Sequence, residues 1–139
     1  NRICNTPFIP YTFIIRFLGI LYSYILLGSV LAWVFTPISA AADFGFVLTE
    51  LSNEAQNALL RDFTSLFVAS FLFVILGVIT LNQAWFFSAG IVYIAAAIFN
   101  LIAIYVHDTG YNKIFVYEFI LGLWALILGL VISLKNNLY

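Results

Sequence analysis

Four polar side chains are the main candidates for chemistry in this chain, and each lies in or beside a long apolar stretch: Arg61, Asp62, Asn100 and Glu118. Polar groups inside hydrocarbon are costly, so each needs a partner or a watery cavity. Two interpretations stay open. The four form a polar pocket in one leaflet that binds a lipid headgroup or small amphiphile, or passes a proton, or they form an interhelical clamp that fixes the register of a bundle.

The spacing of Asn100 and Glu118 supports a common site. Asn100 lies shortly before the loop at 107–113 and Glu118 shortly after it. At about 1.5 Å per helical residue, both lie about 10 Å below the same surface. We therefore predict that the Asn100 amide donates a hydrogen bond to Glu118. Arg61 enters from the same side, and we expect it to reach inward and neutralise that carboxylate.

The remaining chemistry-bearing residues are few. His107-Asp108 resembles half of a catalytic pair but lacks a nucleophile in a recognisable context, so we expect a loop at the pocket mouth, beside Ser65. His107 and Cys4 are the only histidine and cysteine. A zinc site rich in these residues, or a haem held by two histidines, is therefore excluded within one subunit. We predict no enzyme and no catalytic, metal or intrinsic cofactor residues.

Arg16 lies near the start of the first apolar stretch, close to the opposite surface. We predict that its long side chain reaches outward to lipid headgroups. A salt bridge with a partner subunit is the alternative.

The composition indicates the elements that carry these residues. The 139-residue chain is 65% hydrophobic and 8% charged, whereas soluble domains are about 25% charged. Stretches at about 11–35, 55–80, 84–106 and 113–134 each supply the ~20 residues that cross a bilayer. Ser52 or Asn53 is a plausible N-cap of the second helix. The pattern predicts an all-α, integral membrane, up-down-up-down four-helix bundle, a single transmembrane domain over residues 1–139.

The distribution of basic residues gives an orientation. Arg2, Arg16 and Lys135 belong to the side of the chain ends, against Arg61 and Lys113 on the side of the first and third links. The positive-inside rule then favours both ends in the cytoplasm, in a bacterial-type inner or a photosynthetic membrane. No basic patch occurs, so nucleic acid is not an expected partner.

Small and aromatic residues suggest further contacts. The pairs Gly19/Ser23 and Gly28/Ala32 have the four-residue spacing that lets membrane helices approach closely. Trp33 falls near a predicted membrane edge, where it would act as an interfacial anchor. Trp124 lies in the middle of the last helix, and we expect it to face lipid or a neighbouring protein.

A short arrangement of motifs resembles a known family. The start of the second helix reads Leu60-Arg61-Asp62-Phe63-Thr64-Ser65, with Gly77 further on. Asn100, the loop His107-Asp108-Thr109-Gly110 and Glu118 follow. Over residues 11–134 this arrangement resembles DUF4345, a family of uncharacterised four-helix bacterial membrane proteins. The resemblance implies the four-helix membrane fold and no established activity.

Three functions are consistent with these observations. The first is a non-catalytic accessory or structural subunit of a larger membrane complex, respiratory or photosynthetic, surrounded by membrane lipids. The second is a lipid- or lipophile-binding protein with a polar leaflet pocket around Glu118, whose ligand would be a lipid, quinone or pigment. The third is a small proton-coupled transporter that uses the same acid.

Overall fold

The computed structural model describes residues 10–136, and within that range every regular element is helical. The helices are α1 (Tyr11–Phe35), α2 (Pro37–Asp43), α3 (Asn53–Thr80), α4 (Gln83–Val106) and α5 (Ile114–Asn136), with a 3₁₀ turn at Leu48–Glu50. Four of them, all but α2, are long and apolar enough to cross a membrane. Arg2 and Cys4 lie outside the described residues.

The short helix α2 occupies part of the link between the first two long helices, α1 and α3. Pro37 starts it, at a position where the missing N–H of proline breaks no helical hydrogen bond. Ala40 and Ala41 are buried, because α2 folds back against α1. Asp43 is the last residue of α2.

Local sequence explains how α3 begins and how it ends. The side chain of Ser52 accepts a hydrogen bond from the backbone N–H of Ala55 at 3.2 Å, so of the two predicted candidates Ser52 is the N-cap, and Asn53 is the first helical residue. Leu81 adopts a left-handed conformation with φ of 51° and terminates α3. The side chain of Asn82 then caps α4 by accepting from Ala84 N at 3.0 Å. The chain therefore leaves α3 and enters α4 with only two residues between them.

Glycine sets the close approach of α4 and α5. A Cβ on Gly90 would lie 2.6 Å from Leu126 Cδ2, and one on Gly122 would lie 2.7 Å from Ile94 Cδ1 and 2.9 Å from its backbone N. Each glycine therefore leaves room for a large side chain of the opposite helix. Such small-residue holes are how membrane helices pack by van der Waals contact.

The small-residue pairs expected in α1 have different outcomes. Gly19 and Ser23 are buried, and Phe86 of α4 packs between Gly19 and Gly77 of α3. The prediction that Gly28 lies at a helix contact is wrong, since no atom lies within 4 Å of the position where its Cβ would be. The four-residue spacing alone does not say which side of a helix meets a neighbour.

The helices associate as two closely packed pairs. α1 packs along α3, α4 packs along α5, and α3 joins the pairs through α4, whereas α1 and α5 touch sparsely. Trp33 of α1 is buried and stacks on Phe63 of α3, with 4.7 Å between ring centroids. Its predicted role as an interfacial anchor is therefore wrong, because the indole is used inside the bundle. The sparse contact between α1 and α5 leaves a cleft.

Candidate functional site

The cleft between α1 and α5 has a volume of about 590 Å³. Small-molecule sites in proteins typically measure about 300–1,000 Å³. All five helices or their ends contribute lining residues, of which the polar or aromatic members are Ser29, Trp33, Asp43, Phe44, Phe63, Phe67, Tyr93, Lys113, Tyr117, Glu118 and Trp124.

The cleft is charged at one end and apolar at the other. Asp43, at the end of α2, and Lys113, just before α5, lie where the chain crosses between helices. Trp124 lies eleven residues after Lys113, a distance of about 16 Å along α5 at 1.5 Å per residue. Half of a typical ~30 Å hydrocarbon core is about 15 Å. The cleft thus has the depth of one leaflet.

The side chains of Asn100, Asn112 and Glu118 form a hydrogen-bond network at the cleft. Asn100 Nδ2 donates to Glu118 Oε2 at 3.2 Å, which confirms the predicted hydrogen bond. Asn112 and Asn100 also exchange amide hydrogen bonds of 3.4 and 3.2 Å. Asn112 Oδ1 further accepts from the backbone N–H of Phe115 in the first turn of α5. The network therefore ties the α4–α5 loop, α4 and the carboxylate together.

Asn112 was not expected in the site. The sequence does place this asparagine just before a helix, where such a side chain commonly accepts a hydrogen bond from a backbone N–H of the first turn. Its second role, pairing with Asn100, depends on the loop folding back over α4 and could not be read from sequence.

The charged groups that line the cleft have no ionic partners among residues 10–136. The one salt bridge in that range joins Arg61 to Asp62 at 2.8 Å. Glu118 is half-buried and accepts from the Asn100 amide, whereas Asp43 and Lys113 are exposed. Two acids and one base therefore remain available to a molecule in the cleft.

Tyr93 lines the cleft, but its polar atom lies behind the wall. Its side chain is 3% exposed, and its hydroxyl is the one fully buried side-chain polar atom in the described chain that lacks a hydrogen bond. The Ser70 hydroxyl lies nearby but donates to the Leu66 carbonyl oxygen at 2.8 Å, and no contact of the Tyr93 hydroxyl has both the distance and the angle of a hydrogen bond. Leaving a hydroxyl unpaired in an apolar setting costs about 1–3 kcal/mol. Because the hydroxyl is closed off from the cleft, it is an unsatisfied group inside the bundle and not a contact for a ligand.

Tyr22 and Trp124 close the inner end of the cleft. The Tyr22 hydroxyl donates to the Leu121 carbonyl oxygen at 3.1 Å and so joins α1 to α5. Trp124 packs edge-on against Tyr22, with 5.4 Å between ring centroids. The expectation that Trp124 faces lipid or another protein is wrong, since it packs on Tyr22 and lines the cleft.

The predicted cluster of four polar residues divides into two pairs. Arg61 and Asp62 bind each other on an exposed surface, with side chains 64% and 65% exposed. A helix turns about 100° per residue, so Arg61 points away from the Phe63–Phe67 face that lines the cleft. The expected neutralisation of Glu118 by Arg61 is therefore not observed. Asn100 and Glu118 alone of the four form the predicted contact.

The other predicted site residues lie outside the cleft. Ser65, His107 and Asp108 are exposed and do not line it, and Lys113 occupies the mouth instead. Arg16 Nε donates to the Val78 carbonyl oxygen at 3.3 Å, near the end of α3, where helical carbonyls lack partners. Its contact with lipid headgroups stays a prediction.

Comparisons with protein families, curated proteins and solved structures find no match to this chain. The resemblance to DUF4345 therefore stays a prediction. Among the described residues, no group of three or more His, Cys, Asp or Glu side chains is placed to hold a metal ion.

Proposed function

We propose that the chain is an integral membrane protein in which α1, α3, α4 and α5 cross the bilayer in up-down-up-down order. The outward surface supports this, because it is made of large apolar side chains such as Phe17, Ile91 and Ile127. Contiguous apolar surface on this scale is rare in soluble monomers. The opposed pairs Gly90–Leu126 and Gly122–Ile94 support antiparallel α4 and α5. The basic residues favour a cytoplasmic location for both chain ends, in a bacterial-type inner or photosynthetic membrane.

We further propose that the protein binds an amphiphile, one leaflet deep, in the cleft between α1 and α5. One observation carries the proposal: a polar mouth at Asp43, Lys113 and Glu118 continues into an apolar floor. A molecule with a polar head and an apolar tail matches both ends. A wholly apolar ligand would leave the polar groups of the mouth without partners.

The cleft supports entry from the side. Ile25 of α1 and Ile120 of α5 both line it and are exposed on the outer surface of the bundle. In a bilayer these two side chains face acyl chains, so a lipid tail passes between them without crossing water. The volume of the cleft fits a headgroup and the adjoining part of a tail, with the remainder left in the bilayer.

Filling the cleft tests this function. Ala96→Phe places a ring in the lining without changing charge, and Ala69→Phe adds the same ring at an exposed site on α3. Native mass spectrometry of the full chain, extracted in mild detergent, should show bound amphiphile in the unmodified protein and in Ala69→Phe. Ala96→Phe should lose it. Equal occupancy in both variants, or no bound mass in any sample, would overturn the proposal.

The accessory-subunit function stays a prediction. Trp124 does not support this function, because its side chain lines the cleft and packs on Tyr22. The apolar outer surface fits lipid as well as it fits a partner protein. Co-migration with larger subunits in mild detergent is the measurement that would favour it. The proton-coupled transporter also stays a prediction.

A further inference from the structure

We infer that the headgroup recognised in this cleft is zwitterionic, with a phosphate and an ammonium group. The inference rests on the proposed amphiphile-binding function and specifies the chemical class of its ligand. Two acids and one base, Asp43, Glu118 and Lys113, line one cleft, and none of them is used in a salt bridge within residues 10–136.

The balance of charges argues against simpler headgroups. A purely anionic headgroup would pair with Lys113 but would also approach the carboxylates of Asp43 and Glu118. A purely cationic one would pair with the carboxylates and leave Lys113 beside another positive charge. Like charges brought together repel, and most strongly at the half-buried Glu118, where the surroundings screen them more weakly than at the exposed mouth. A headgroup that carries both signs satisfies all three residues.

Each residue has a distinct expected contact. Lys113 is exposed at the mouth, where a flexible ammonium group is suited to bind phosphate as a point charge. Glu118 lies five residues further on, about 7.5 Å deeper at 1.5 Å per residue. Asn100 holds one oxygen of Glu118 at 3.2 Å, so the carboxylate is oriented before the ligand arrives. Preorganisation of this kind lowers the entropy lost on binding. Glu118 is therefore the expected main contact of the ligand ammonium group.

Aromatic side chains beside Asp43 are a second feature that favours a cation in the cleft. Phe44 directly follows Asp43 and lines the cleft, and its ring meets Trp33 at 5.7 Å and Phe63 at 4.8 Å between centroids. Aromatic faces attract organic ammonium groups more strongly when water is excluded. A carboxylate next to such a group of rings is suited to an amine-bearing headgroup.

Competition between defined lipids tests the inference. The full chain, stripped of native lipid, is offered equal amounts of phosphatidylethanolamine, phosphatidylcholine and phosphatidylglycerol with identical tails, and the bound species are counted by native mass spectrometry. Both zwitterionic lipids should be preferred over the anionic one by about tenfold or more. For phosphatidylethanolamine this is the effect of one charge-assisted hydrogen bond, whereas the choline group of phosphatidylcholine has no N–H and pairs with the carboxylate by charge alone. Glu118→Gln keeps the acceptor for Asn100 but removes the charge, so it should abolish most of that preference. Lys113→Gln should weaken the binding of all three lipids, because each of them carries a phosphate.

A charged pair outside the cleft provides the control. Asp62→Asn removes an acid from the exposed α3 surface and should leave the preference unchanged. If phosphatidylglycerol binds as well as the zwitterionic lipids, or Glu118→Gln retains the full preference, the headgroup inference is overturned while amphiphile binding stands. If no lipid binds and Ala96→Phe has nothing to displace, the proposed function itself fails.

Discussion

The rings of Tyr22 and Tyr93 lie edge to face with 6.5 Å between their centroids, yet only the Tyr22 hydroxyl has a hydrogen-bond partner within the described chain. Tyr22 donates to the Leu121 carbonyl oxygen and joins α1 to α5. Tyr93, equally buried, has no such structural contact. Of these two neighbouring tyrosines, only Tyr22 therefore links two helices through its hydroxyl.

Removing each hydroxyl should have opposite effects on stability. Tyr22→Phe loses an interhelical hydrogen bond and should lower the free energy of unfolding by about 0.5–1.5 kcal/mol. Tyr93→Phe removes a buried, unpaired hydroxyl and should leave the stability of the ligand-free protein unchanged or raise it by about 1 kcal/mol. Reversible unfolding in mixed micelles measures both. A clear loss of stability in ligand-free Tyr93→Phe would show that the hydroxyl already has a structural partner.

Asn100 and Glu118 should be energetically coupled. A double-mutant cycle with Asn100→Ala and Glu118→Ala should give a coupling energy of about 0.6 kcal/mol, the mean for hydrogen bonds between membrane helices, with about 1.7 as the upper end. The cycle of Asn100→Ala with Asp62→Asn should give none, because Asp62 binds Arg61 instead. Equal coupling in the two cycles would contradict the network seen here.

Glycines in α4 and α5 should tolerate substitution according to their surroundings. Gly122→Ala brings a methyl group within 2.9 Å of the Ile94 backbone, which cannot move aside as a side-chain end can, so α4 and α5 must separate. Overpacking of this kind costs about 1–3 kcal/mol. Gly28→Ala meets no atom within 4 Å and should gain up to about 1 kcal/mol from helix propensity. Thermal unfolding in one detergent ranks the two variants.

The membrane orientation can be tested with cysteines at the two ends of the bundle. In a Cys4→Ser background, Thr109→Cys lies in the exposed α4–α5 loop, and Asn136→Cys lies at the exposed end of α5. A membrane-impermeant maleimide should label these from opposite sides, with Asn136→Cys reached from the cytoplasm. Labelling of both from one side would exclude the proposed crossing order.

The sequence alone determined the number and type of the long helices. Their apolar runs are long, and hydrocarbon permits only conformations that satisfy every backbone hydrogen bond internally. It also predicted the cap at Ser52 and the Asn100–Glu118 contact, since both follow from local chemistry and from equal spacing on either side of a loop. These features depend on distances along the chain.

Tertiary structure decided which faces of the helices meet. A nearly uniform apolar helix carries little information about its inward side, so Trp124 and Gly28 were misplaced by sequence reasoning, and Arg61 was expected to bind Glu118 rather than Asp62. The cleft exists because α1 packs on α3 and α5 packs on α4, which leaves α1 and α5 apart. The pairing of α4 with α5 follows from the fit of Gly90 and Gly122 to their opposite neighbours, a matter of shape that hydropathy does not record.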